Sequence, residues 1–247
     1  MVTGKQKELR ARETHFKQVA REILLREGYQ GLTINRVAEV TGFSRGTVYQ
    51  FFGSKEELIT ALGIECRVRL LETVRKAARL PGRPREQMVA MGEMMAYYAK
   101  HDANDYRILK IIDSEAILDK VSKAQQEQMK EHDIQVFNTL FGIVKDAITA
   151  GDLVLHGGST PQSLTFAFWA MVDGCLAAIM GSAPLNEAEI HDPMGEIVRN
   201  GHYLLDGYGW RPLSTECDYE RTARRVRALL AGEPVEERKL AVAGERR

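Results

Sequence analysis

Apolar positions along this chain recur at helical spacing almost from end to end. From Phe16 through Val19, Ala20, Ile23 and Leu24 they fall at i, i+3, i+4, i+7 and i+8, one face of a helix that ends at Gly28. Two short periodic pieces follow, about Ile34–Val40 and Ser44–Phe51, separated by Thr41, Gly42 and Phe43. A longer helix opens at Ser54, where Ser54 and Glu57 have the S-x-x-E form of a capping box, and runs to about Leu80 before Pro81, Gly82 and Pro84 break it. Further helices are predicted at about 85–101, 104–112, 120–150, 162–181, 193–208 and 218–231, with Gly151, Gly157, Gly158, Pro161 and Pro184 as punctuation. No stretch alternates long enough to compel a strand, so the expected class is all-α.

The segment from Thr33 to Phe52, TINRVAEVTGFSRGTVYQFF, has helix-turn-helix grammar. Two steeply crossing helices need a small residue where they touch, here Ala38, and a glycine able to take positive φ in the turn, here Gly42. Val37, Phe43, Val48, Phe51 and Phe52 can close a small core on the Phe16–Leu24 face. That leaves Ser44, Arg45, Gly46, Thr47, Tyr49 and Gln50 outward on the second helix. Such a surface suits a DNA major groove, where Arg and Gln bond base edges and hydroxyls bond phosphates or bases. Thr33 and Ser54 stand where helices begin, so backbone N–H groups there can face phosphate, and Lys55 adds a charge. Arg45, Thr47 and Gln50 are the candidate base readers, and Gly46 allows close approach to the groove wall.

The stretches Gly28 to Ile34, Val37-Ala38, Thr41 to Tyr49 and Phe51 to Leu58 resemble the N-terminal signature of TetR-type transcriptional regulators. The resemblance covers about residues 10–60. It implies a three-helix DNA-binding domain at 1–55 and a larger helical domain for effector binding and dimerisation at 56–231, while residues 232–247, charged with little periodicity, are expected to be a flexible tail. It also implies that the second helix of the motif enters the major groove, while residues matching Thr33, Tyr49 and Lys55 meet phosphates. A homodimer paired through helices 162–181 and 193–208 would read a near-palindromic operator in duplex DNA, most simply as a repressor released by a small hydrophobic effector. The stripes expected at that pairing are Leu164, Phe168, Met171, Cys175 and Ala178 on one helix and Ile197, Val198, Gly201, Leu204, Leu205 and Tyr208 on the other.

Composition adjusts this reading in a few places. With 247 residues, one small module plus one larger one is expected. The 34 basic and 34 acidic side chains cancel, yet residues 1–60 carry 10 basic against 7 acidic, so the positive pole lies on the candidate reading head. Lys5, Lys7, Arg10 and Arg12 can form a flexible basic arm. Three cysteines without a C-x-x-C pair support neither a disulfide framework nor a zinc site. No metal, nucleotide or covalent cofactor motif is present. The N-terminus lacks the apolar core of a secretory signal, and the longest apolar region, Leu164–Met180, is interrupted by Asp173 and falls short of the roughly 20 residues of a span. A cytoplasmic protein with no membrane partner is expected.

Residues 42–46 also spell G-x-S-x-G, but a nucleophile elbow joins a strand to a helix, and no strand pattern precedes Ser44. No catalytic residue and no enzymatic activity are expected. Aromatic and sulfur side chains are dense in residues 85–181, and Met91, Met95, Tyr98, Phe137, Phe141, Phe166 and Trp169 are the candidate walls of an apolar effector pocket. Their neutrality favours an acyl chain or an aromatic compound. The alternative is a helical lipophile carrier or enzyme with an incidental helix-turn-helix.

Overall fold

Thr3 opens the first helix, its hydroxyl accepting the Gln6 N–H while the Gln6 side chain accepts the Thr3 N–H at 2.9 Å. This cap starts α1 (Gly4–Gly31) early enough that Lys5, Lys7, Arg10 and Arg12 are helical. The expected flexible arm is therefore the first turns of α1. Gly28 takes φ 72°, which ends the regular helix where the sequence predicted, and one further turn follows to Gly31.

The computed structural model describes residues 3–113, 117, 119–181 and 183–231; the expected tail at 232–247 lies outside them. Among the described residues there are ten helices and no strand. After α1 come α2 (Ile34–Thr41), α3 (Arg45–Tyr49), α4 (Lys55–Ala78), α5 (Pro84–His101) and α6 (Ala103–Ile112). The series closes with α7 (Lys123–Thr149), α8 (Pro161–Met180), α9 (Pro193–Gly207) and α10 (Tyr219–Leu230). The all-α expectation holds, with helix ends within a few residues of the predicted spans.

The chain divides into two compact units, residues 1–70 with 102–134 and residues 71–101 with 135–247. This division does not follow the expected boundary at residue 55. In unit 1 the reading head closes only when the start of α4 and all of α6 are added: Phe16, Ile23, Leu24, Val37 and Val48 share one core with Leu58, Leu62, Ile108 and Ile112. Polar ties reinforce it. Asp105 of α6 is buried and accepts from Arg21 of α1 and, at 2.6 Å, from Arg69 of α4. Against the upward push of burial, those guanidiniums hold the Asp105 carboxyl below its ordinary range. Arg67 pairs with Asp113 and, at 3.0 Å, with Asp133.

In unit 2, α5 packs against α9 and α10, and α8 against α9. Arg85 is fully buried at one end of this layer; its guanidinium donates to the Trp210 carbonyl and the Asp206 carboxylate and lies 5.3 Å from the Tyr219 ring centre. Helix α8 starts at Pro161 behind a Thr160–Ser163 capping box and so reaches 20 residues, long and apolar enough by length and composition to cross a membrane. That corrects the shorter expectation from Leu164. Leu164, Phe168, Val172 and Leu176 form its buried edge, with only 28% of its apolar window inside the fold.

Candidate nucleic-acid interface

The small head is built from caps and one glycine. Thr33 accepts the Arg36 N–H at 3.1 Å and starts α2, whose Ile34, Val37 and Ala38 are buried. Gly42 stops α2 in the left-handed conformation at φ 73°. Ser44 then accepts the Thr47 N–H at 3.1 Å and starts α3, while its hydroxyl lies 2.8 Å from the Thr47 hydroxyl. Val48 is fully buried and Phe52 nearly so, which fixes the back of α3 on the core. The expected core partners Phe43 and Phe51 pack edge-on to Phe16, both with centroids at 5.3 Å.

With its back pinned, α3 presents the remaining positions to solvent. Ser44, Arg45, Gly46 and Gln50 are exposed, Tyr49 is 52% exposed, and Thr47 is half-buried. Arg45 makes no ion pair among the described residues, so its charge is uncompensated. A side chain at Gly46 would meet only the Ser44 hydroxyl, at 3.8 Å. The fold itself therefore does not require glycine there.

Lys55 is less available than the sequence suggested. Its ammonium donates to the Tyr29 carbonyl at 3.2 Å and sits 3.8 Å from the centre of the Tyr29 ring. Tyr29 in turn donates its hydroxyl to Glu56 at 2.6 Å. Burial and this carboxylate push the Tyr29 phenol up to about 12, while Glu56 stays below its ordinary range despite its own burial. Ser54 accepts the Glu57 N–H at 3.1 Å, and Glu57 reaches back to the Gly53 N–H at 2.7 Å, one residue before the expected capping-box partner. Asn35 and Arg36 are additions: they line a groove with Thr33, Gly42, Ser44 and Arg45. Their signal was readable, since burying Ile34, Val37 and Ala38 turns Asn35, Arg36 and Glu39 outward. Arg36 is shared with Glu39 at 2.9 Å.

The seven candidate effector contacts do not share one environment. Met91 and Tyr98 are buried on α5 and Met95 is half-buried beside them. Phe137 and Phe141 are half-buried on α7, their rings stacked at 6.5 Å. Phe166 and Trp169 stand 57% and 45% exposed on the outer face of α8. None of the seven lines the cleft between α5, α9 and α10. Among the described residues no group of three or more His, Cys, Asp or Glu side chains is placed to hold a metal ion.

Residues 18–62 match the family profile of bacterial regulatory proteins, tetR family. The HTH-type transcriptional repressor AcnR of Corynebacterium efficiens is 46% identical over 55 residues, which is 22% of this chain and 29% of that protein. The chain spans less than half the length of the curated relatives it matches. A tetR-family regulatory protein from Rhodococcus RHA1 superposes with a TM-score of 0.62 at 16% identity, covering 80% of this chain and 97% of that one. The regulator FadR of Bacillus subtilis, solved with stearoyl-CoA, gives a TM-score of 0.61 at 16% identity over 78% of this chain and 98% of that one. Residues 18–62 are thus similar to the tetR family of bacterial regulatory proteins, and the chain as a whole shares its fold with these solved tetR-family and FadR structures.

Proposed function

We propose that this chain is a sequence-specific DNA-binding repressor that acts as a homodimer and leaves its operator when a small lipophilic effector binds unit 2. The observation that carries this reading is the outward face of α3, where Arg45, without an ion pair among the described residues, Tyr49 and Gln50 are exposed on a helix locked from behind through Val48 and Phe52. In it Arg45, Thr47 and Gln50 read bases. Thr33, Ser44, Tyr49, Ser54 and Lys55 meet phosphate and sugar, Gly46 lets the backbone approach, and Asn35 and Arg36 join at the groove edge. The AcnR relative carries the word repressor in its name, and its matched stretch is this head.

Pairing is supported by apolar surface. Phe166 and Trp169 on α8 and Tyr203 on α9, 65% exposed, put large rings in water unless a second copy covers them. A two-fold pair would carry two identical heads to a near-palindromic operator. The effector side rests on Met91, Met95, Tyr98, Phe137 and Phe141, and on the structural neighbour that holds stearoyl-CoA. Access to a chromosome sets the cytoplasm as the working compartment. The test is enrichment of a duplex from a random pool, followed by anisotropy titrations at several salt concentrations. A repressor selects one motif and loses affinity steeply as salt rises. Failure to enrich any sequence, with no salt-dependent binding, would leave the carrier or enzyme reading standing.

A further inference from the structure

The first two turns of α1 are held by their own sequence rather than by the core. Residues 4–11 are all exposed, and the buried side of α1 begins only at Phe16. What keeps this overhang helical is the Thr3 cap and the run from Lys5 to Arg12, KQKELRAR, drawn entirely from strong helix formers. Its position is fixed by its base. The Arg12 guanidinium lies 5.8 Å from the centre of the Phe43 ring, and Phe43 immediately precedes Ser44, the cap of α3. Lys5 stands seven residues before Arg12 on the same helical row, about 10 Å at 1.5 Å per residue, so the rod runs out past the turn that leads into α3.

The positive charge of unit 1 is concentrated on this rod. Residues 1–12 carry four basic side chains and one acidic, whereas residues 13–60 carry six of each. The rest of unit 1, residues 61–70 with 102–134, carries seven basic against nine acidic. Beyond residue 12, unit 1 therefore has no excess of cations with which to attract a polyanion. On the rod itself Glu8 is taken by Arg12, while Lys5, Lys7 and Arg10 are exposed and make no ion pair among the described residues. Long cationic stems in such an array fit a run of phosphates, and phosphate contacts carry affinity without choosing a base.

We propose that Lys5, Lys7 and Arg10 form a phosphate-binding site for the duplex that flanks the bases under α3, and that this site supplies most of the chain's sequence-independent hold on DNA. The site rests on the DNA-binding reading and adds a division of labour to it. Helix α3 selects the sequence, and the cationic rod supplies the attraction common to all sequences.

The experiment compares the intact chain with the triple variant Lys5→Gln, Lys7→Gln, Arg10→Gln, which keeps helix propensity, leaves the core untouched and removes three charges. Anisotropy is read on the enriched duplex and on a scrambled duplex of equal length, across a series of salt concentrations. Each neutralised phosphate contributes about 0.9 to the slope of log affinity against log salt, so the triple variant should lose about 2–3 units of slope per head. Affinity for both duplexes should fall at least ten-fold at low salt, and the ratio between them should stay within about three-fold of the native ratio. Arg107→Gln with Lys130→Gln removes two exposed cations elsewhere in unit 1 and should shift the slope by less than about half a unit. An unchanged slope in the triple variant, a loss confined to the enriched duplex, or equal flattening by the second pair overturns the proposal and leaves DNA binding itself in place. A native chain that binds neither duplex overturns both.

Discussion

At the scale of single residues, the head is held together by partners far apart in sequence. Asp105 lies 84 positions from Arg21 and 36 from Arg69, yet all three meet over the buried Cys66. Because the Asp105 carboxyl is depressed in the folded state, its contribution is full above the ordinary value of 3.8 and is lost as pH falls through the lower folded value. Asp105→Asn should cost about 1.5–3 kcal/mol in urea unfolding at pH 7, the range for hydrogen bonds to charged groups. That penalty should shrink when the same pair of proteins is compared near pH 3. The α3 surface calls for a different measurement. Arg45→Ala should cost about 1–3 kcal/mol of operator affinity and relax preference at one base pair, with the melting temperature unchanged. Lys55→Ala should weaken all duplexes alike and also lower the melting temperature, since Lys55 ties α4 to Tyr29. Local spacing made Val37, Val48 and Arg45 legible in the sequence. The Asp105 tie and the Lys55–Tyr29 contact were not, because charged residues carry no periodic signal that names a distant partner.

At the scale of elements, caps and glycines were the readable part. Thr33, Ser44 and Ser54 all start helices where the sequence placed them. Gly42 offers a sharp test, because a side chain built there meets nothing within 4 Å while its φ of 73° is strained for any L residue. Gly42→Val should therefore cost about 1–2 kcal/mol through backbone strain alone. Gly42→Asn should cost less, since Asn tolerates this conformation, and a thermal melt of the two variants ranks them. Helix α8 was misread in its facing. Its mean hydropathy of 1.6 reflects apolar residues on every side, so periodicity could not choose a buried edge. The expected pairing stripe of Leu164, Phe168, Met171, Cys175 and Ala178 is split: Leu164 and Phe168 point inward, and Ala178 is exposed. On α9 the same holds for Ile197, Gly201 and Leu205, which are buried, while Val198, Leu204 and Tyr208 are only partly so.

For the whole molecule, that correction changes how assembly should be challenged. A charge at Leu205, 1% exposed, would test folding, whereas Trp169→Glu with Tyr203→Glu alters only outward rings. Light scattering should report a dimer for the native chain and the monomer mass for the double variant, with circular dichroism unchanged and operator affinity lowered at least ten-fold. A dimer that survives both substitutions would move the pairing surface elsewhere. The units themselves were beyond the reach of local pattern, since α6 joins the head through Ile108, Leu109, Ile112 and Asp105, far in sequence from α1 to α3. One consequence concerns how unit 1 opens. Cys66 is fully shielded, its sulfur receives N–H groups from Arg21 and Arg69 at 3.3 and 3.4 Å, and burial pushes its thiol up to about 11. With Cys175 and Cys217 replaced by serine, a thiol reagent would reach this sulfur only during transient excursions of the head. Its rate of labelling becomes an internal clock for those excursions, and a bound operator should slow it.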